Sequence, residues 1–228
     1  MGFMKPKIYA LSNSRINTYD PDQGGCPKKA YFKFILKYKE APNDAMARGL
    51  KIHKSQEDLI NDRSLDFPPI LQRVKEPLIS LLTAEGELTA EHQIAFNKDW
   101  QVVEWFAPDA AWRVVYDAVL DQGGTVTVQD LKSGKMYDHH AIEMDRYALS
   151  AFMWKPDVDE VTVEYHYMDQ GKVSRGVYTR AEDLSVLEAA YDKVAAKIRA
   201  DSIFAANPSY KCKWCFQRRS IGGECEHG

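Results

Sequence analysis

The sequence contains no apolar run approaching the roughly 18 residues that span a bilayer, and its first residues hold no apolar stretch followed by a small-residue cleavage site. This predicts an intracellular protein with no membrane partner. No charge sign dominates: 30 Lys+Arg stand against 33 Asp+Glu for a net charge of -3. Any polyanion must therefore be met by local basic patches and not by the average field. GxGxxG, GxxxxGK[ST] and GxSxG motifs are all missing, which removes sequence support for a nucleotide cradle or a hydrolase elbow. Internal repeats and low-complexity tracts are absent too. In the reducing compartment that an intracellular protein occupies, four cysteines in a chain this long read as ligands, redox centres or core residues in preference to a disulfide framework.

What is present is ordinary globular composition over 228 residues: 45% hydrophobic, 11% aromatic and 28% charged. That suffices for one substantial core and excludes collagenous or largely disordered chains. Helical spacing predicts helices over residues 26–40 and 44–61, and another after Pro68-Pro69 through Leu82. The period then shortens. Residues 91–96, 101–106, 112–120 and 125–131 read as strands of an antiparallel meander separated by Asn-Lys-Asp, Pro-Asp and Asp-Gln-Gly-Gly turns. A helix over 139–154, strands over 160–168 and 173–179, and a helix over 181–200 complete the order. This is an α/β fold with a mixed central sheet flanked by helices, not a doubly wound one.

Asp117 closes the strand run RVVYD, and Asp130-Leu131-Lys132 lies in VQDLKSGK. Period-2 geometry sends Asp130 and Lys132 to one side of a strand and Leu131 to the other. If the two strands form a hairpin, Asp117 lies beside Asp130, and the two carboxylates suit a hard divalent cation such as Mg²⁺ or Mn²⁺. These residues resemble the D-(x)n-(D/E)-x-K signature of the PD-(D/E)XK nuclease superfamily. The resemblance implies a restriction-endonuclease-like core, a further metal ligand from the Leu131 backbone carbonyl and a catalytic role for Lys132. Gly49 and His53 resemble the GxxxH helix of the RecB-type branch, whose histidine is a metal ligand. Tyr147 matches the tyrosine of its QxxxY motif, where Glu143 replaces the glutamine. Glu91, with Glu87 as an alternative, resembles the family's first acidic position.

Cys212, Cys215 and Cys225 form C-x₂-C-x₉-C near the end of the chain, with Cys26 far upstream. The residues alone leave zinc, a redox pair or buried thiols open. One N-terminal and three C-terminal cysteines resemble the iron–sulfur branch that includes AddB-type and CRISPR-associated exonucleases. Ser12, Ser14, Ile16 and Pro27 match its N-terminal segment. The resemblance implies a [4Fe–4S] cluster, with zinc as the alternative, stapling residues 12–40 to 201–228 within a single nuclease domain over 1–228. Lys28, Lys29 and Lys33, with Lys37 and Lys39, flank one arm. Lys211, Lys213, Arg218 and Arg219 flank the other. These predict a positive DNA-binding rim on which Trp214 and Phe216 could stack bases.

The ordered coincidence implies a metal-dependent DNA exonuclease of recombination, repair or end processing, bacterial or phage-encoded and cytoplasmic. It would act on DNA with a single-stranded end, with a helicase or recombinase as a possible partner. The alternatives are a non-catalytic DNA-end-binding module of the same fold and a small-molecule phosphohydrolase.

Overall fold

The computed structural model describes Ile8 and residues 10–228. Its centre is a six-stranded sheet of order β2-β1-β3-β4-β5-β6, built from β1 (Glu87–Phe96), β2 (Val102–Val103), β3 (Trp112–Asp121), β4 (Thr125–Lys132), β5 (Glu160–Tyr167) and β6 (Lys172–Thr179). Every pairing is antiparallel except β4 with β5. Parallel neighbours need a crossover, and α5 (His139–Trp154) supplies it. Gly123, at φ 86°, turns the β3–β4 hairpin, a backbone conformation that L side chains avoid.

Helices α1 (Asn13–Tyr19), α5 and α6 (Arg180–Ala200) cover one face and α3 (Asp44–Asn61) with α4 (Lys75–Thr83) the other. The first face holds the larger core. There Trp112 packs against Phe96, Trp100 and Tyr191 with ring centroids 4.5–5.9 Å apart, and Val128, Val163 and Phe152 are fully buried. Each such side chain contributes about 1.5–3 kcal/mol through burial. Leu131 points the opposite way, into the second core with Ile52, Leu71 and Leu78. The expected alternation through Asp130, Leu131 and Lys132 is therefore present.

The structure corrects several expected boundaries. The helix expected over 26–40 is a short α2 (Pro27–Ala30) continuing as a π-helical turn (Tyr31–Ile35), and Lys37 stands at φ 61° beyond its end. The strand expected over 101–106 keeps only β2, and Trp105 and Phe106 form a turn. Asp117 lies within β3, as the expected span 112–120 places it, and the strand runs one residue further, to Asp121. No helix among the described residues is long and apolar enough to cross a membrane.

Candidate active site

Three elements bring the acidic groups together. Asn43 caps α3 by accepting a hydrogen bond from the Met46 amide (2.9 Å), which fixes the start of the helix that carries His53. Ile52 and Ile60 bury one face of α3 against the sheet, and His53, next to Ile52, reaches Asp117 of β3. A Cβ at Gly49 would lie 3.7 Å from Ser133 Oγ, so packing does not require glycine there. The β3–β4 register ends at Ala118 opposite Gln129; carried on by one residue, it sets Asp117 opposite Asp130.

Glu91 is the irregular member. Ala90 pairs with Ala118 and His92 with Tyr116, but the ladder is interrupted between them, where Glu91 stands at φ 48° in mid-strand. A left-handed conformation at a non-glycine residue costs about 1–3 kcal/mol and concentrates at functional sites. Here it lies opposite Asp117. His53, Glu91 and Asp117 each offer a ligand atom within 4.8 Å of the others, the one such group among the described residues. His53 Nδ1 is 2.8 Å from Asp117 Oδ2, yet that buried oxygen has no satisfying hydrogen bond.

Asp130 is drawn elsewhere. Its Oδ2 lies 2.8 Å from Lys132 Nζ, while its buried Oδ1 has no partner. Lys132 Nζ is also 3.3 Å from Glu143 Oε2 and sits over the Tyr165 ring at 4.3 Å. Tyr165 donates to Glu143 Oε2 at 3.2 Å, and Asn17 Nδ2 donates to Oε1. Glu143, the residue out of keeping with the motif, is thus a second carboxylate beside the lysine. Nothing in the sequence around Glu143 marks that pairing.

The electrostatics follow from burial and from the closeness of these charged groups to one another. Burial, then Asp130, raise the Asp117 carboxyl to about 7. Burial also raises Glu91. Burial works against the His53 imidazolium, but Asp117, Asp130 and Glu91 outweigh it and raise its pKa. Lys132 is likewise opposed by burial and held well above its ordinary value by Asp130 and Glu143, so it is an ammonium. Tyr147, buried among acids, is raised well above the usual phenol range. Displaced carboxyls beside a buried cation are a pattern found at functional sites and in structural ion-pair networks alike.

His53, Glu91, Asp117 and Tyr147 line one cavity of about 570 Å³, whose far wall carries Arg15, Trp105 and Arg113. The sequence reading missed those three. The model for the PD-(D/E)XK nuclease superfamily matches residues 10–220. The chain belongs to that superfamily. Among solved structures, a protein described as a candidate exonuclease from Eubacterium rectale shares 11% identity with this PD-(D/E)XK chain at a TM-score of 0.53. That match covers 90% of this chain and 86% of the other. The crystal structure of SSO0001 shares 13% identity at a TM-score of 0.47, covering 98% and 89%. At these identities the likeness concerns the fold. No curated protein matches the sequence.

A second cavity of about 400 Å³ is lined by Cys26, Cys212, Cys215 and Cys225. All four are free thiols. Cys26 follows Gly25, where a Cβ would fall 2.5 Å from the Asn17 carbonyl oxygen, so only glycine fits. The amides of Asn207 and Ser209 donate to the sulfurs of Cys26 and Cys212, each at 3.3 Å. Burial, with Cys215 and Cys26 nearby, raises the Cys225 thiol. The basic arms are less free than the sequence implies. Lys29 and Lys33 share Glu40 at 3.1 and 3.2 Å, Lys28 and Lys213 lie over Phe32 and Trp214, and Arg218 donates to the Cys215 carbonyl.

Proposed function

We propose that this superfamily member is a divalent-metal-dependent deoxyribonuclease of the exonuclease type, acting in recombination, repair or DNA-end processing. The observation that carries the reading is the convergence of His53, Glu91 and Asp117 within 4.8 Å, beside Asp130 and Lys132. The donor set is one imidazole and carboxylates, which suits Mg²⁺ or Mn²⁺. The buried Asp130 Oδ1, which has no partner, and the buried Asp117 Oδ2, which meets only His53, fit the same reading, because a carboxylate oxygen left without enough partners is costly unless something coordinates it. His53, Glu91, Asp117, Asp130 and the Leu131 carbonyl are the proposed ligands. A bound cation would act as a Lewis acid toward a phosphoryl oxygen and lower the pKa of a water.

The chain's own groups do the rest. Lys132 holds a fixed positive charge at the place where the phosphate gains negative charge in the transition state. Glu143 and Asp130 hold that ammonium from two sides, and Tyr165 limits its movement. Tyr147 keeps its proton, so it can donate a hydrogen bond to a phosphate oxygen or to a carboxylate. Lys28, Lys29, Lys33, Lys213, Arg218 and Arg219 remain the proposed outer DNA contacts, weakened at Lys29 and Lys33 by Glu40.

The four cysteines are proposed to hold the [4Fe–4S] cluster of the RecB/AddB-type branch, stapling residues 12–40 to 201–228 in a single domain. Zinc would draw its thiolates to within about 3.8 Å of each other, given a Zn–S distance of roughly 2.3 Å. No three of the four cysteine sulfurs lie within 4.8 Å.

The test is anaerobic purification followed by incubation with end-labelled DNA and Mn²⁺, comparing wild type with Lys132→Ala. Wild type should release nucleotides from the labelled end and Lys132→Ala should be slower by about 10²–10³-fold. Equal rates would reject the role of Lys132, and hydrolysis of mononucleotide esters with DNA left intact would reject the nuclease reading. A brown visible band lost in Cys212→Ser supports the cluster. A colourless protein containing stoichiometric zinc would reject it.

A further inference from the structure

Two arginines outside the acidic group, Arg15 and Arg113, form a wall shared by the catalytic cavity and a neighbouring cavity of about 370 Å³. Arg113 lies on the same side of β3 as Asp117, four residues away, or about 13 Å at the ~3.3 Å rise of a strand. Its guanidinium is 5.6 Å from the ring centroid of Trp105 and 5.5 Å from that of Phe106. Arg15 sits 5.4 Å from the ring of Phe34. Trp105 faces the catalytic cavity and Phe106 the neighbouring one, where 82% of its surface is exposed.

Two further facts point to a missing anion. The buried Nε of Arg113 has no hydrogen-bond partner. Burial and the adjacent Arg113 cation both lower the pKa of Arg15, with no carboxylate offsetting them. Two cations brought together in a half-buried wall repel each other unless a counter-charge arrives. Lys29 and Lys33, by contrast, already share an acid.

We propose that Trp105, Phe106, Arg15 and Arg113 form the track that receives the unpaired end of the substrate strand, with bases stacked on the two rings and phosphates held by the two guanidiniums. This rests on the nuclease reading above and names its substrate as single-stranded DNA. A ring can stack on a base only where that base has lost a stacking neighbour, and sequence-tolerant stacking beside arginine is the general means of holding single strands. The 13 Å between Arg113 and Asp117 accommodates no more than about four nucleotides at the ~3.4 Å axial rise per nucleotide of one B-form strand. The track therefore leads directly into the acidic site.

The test is fluorescence anisotropy of an end-labelled single strand and of a blunt hairpin duplex, titrated with the full chain in a chelator so that neither is cut. Phe106→Ala should weaken single-strand binding by about 5- to 100-fold while leaving the duplex and the salt dependence unchanged. Arg113→Gln should flatten the slope of log affinity against log salt by about 0.7 for the single strand. Phe106 is exposed, so its removal tests the track even if Arg113→Gln misfolds. Unchanged single-strand affinity in Phe106→Ala, equal weakening of both ligands, or no single-strand binding by wild type would each overturn the proposal. Mn²⁺-dependent degradation by the same wild-type preparation separates the readings. If it persists while Phe106→Ala binds normally, only the track fails; if it is absent, the nuclease reading fails.

Discussion

Replacing Asp117 with Asn should stabilise the metal-free protein while removing its response to metal. The carboxyl is buried beside Asp130, and burial with that neighbour raises it to about 7. An unfolded chain gives up this proton at the ordinary carboxyl pH, whereas the folded chain keeps it until about 7. The folded state thus binds more protons across that window, and metal-free stability falls as pH rises through it. Above that window, the cost of holding the charge is at most about 4 kcal/mol. Asn has the same shape and no charge, so at pH 8 in a chelator Asp117→Asn should gain roughly 2–4 kcal/mol. For a chain of this length that is a rise of roughly 4–16 °C in Tm. Wild type should recover stability when Mn²⁺ is added, and the variant should not. The assay is thermal unfolding followed by circular dichroism, with and without Mn²⁺. A variant that melts below wild type in chelator would refute the reasoning, because Asp117 would then be stabilising the fold without any cation.

The same carboxyl sets a pH dependence for metal binding. Because protons compete for it, Mn²⁺ affinity measured by calorimetry should fall as pH is lowered from 8 to 6, with proton release on binding; a flat profile would contradict this. Glu143→Gln should leave Mn²⁺ affinity intact but slow DNA cleavage by about 10- to 100-fold, since it removes one of the two carboxylates that hold Lys132. Wild-type rates would show that Asp130 holds the ammonium alone. Trp112→Ala should cost about 3–5 kcal/mol in urea unfolding because the residue fills the larger core. A cost below ~1 kcal/mol would mean that its neighbours close the cavity.

Most of the sheet and its helices are legible in the sequence because period and turn chemistry are local. Asp130 and Lys132 share a side, Leu131 faces the other core, and α3 and α5 begin and end at the expected residues. The site is legible only in outline. Spacing places Asp117 near Asp130, but it cannot reveal that Asp130 is held by Lys132 while Glu91 completes the group with His53 and Asp117. The left-handed backbone at Glu91 has no sequence signature, since glutamate, unlike glycine or asparagine, carries no bias toward positive φ. Residues 101–106 look like a strand because Val102, Val103, Trp105 and Phe106 are apolar or aromatic. Their rings instead flank Arg113 at the cavity wall, a long-range contact that periodicity does not record. Lys29 and Lys33 read as a free basic face for the same reason, because Glu40 returns to them only after the π-helical turn ends.

A single titration addresses the cation site itself. Free Mn²⁺ followed by electron paramagnetic resonance during addition of the full chain at pH 8 should show saturable binding to wild type. Glu91→Gln and Asp117→Asn should each lower that affinity by at least about tenfold. Wild-type affinity in both variants would contradict the site, and with it the catalytic role assigned to this cavity.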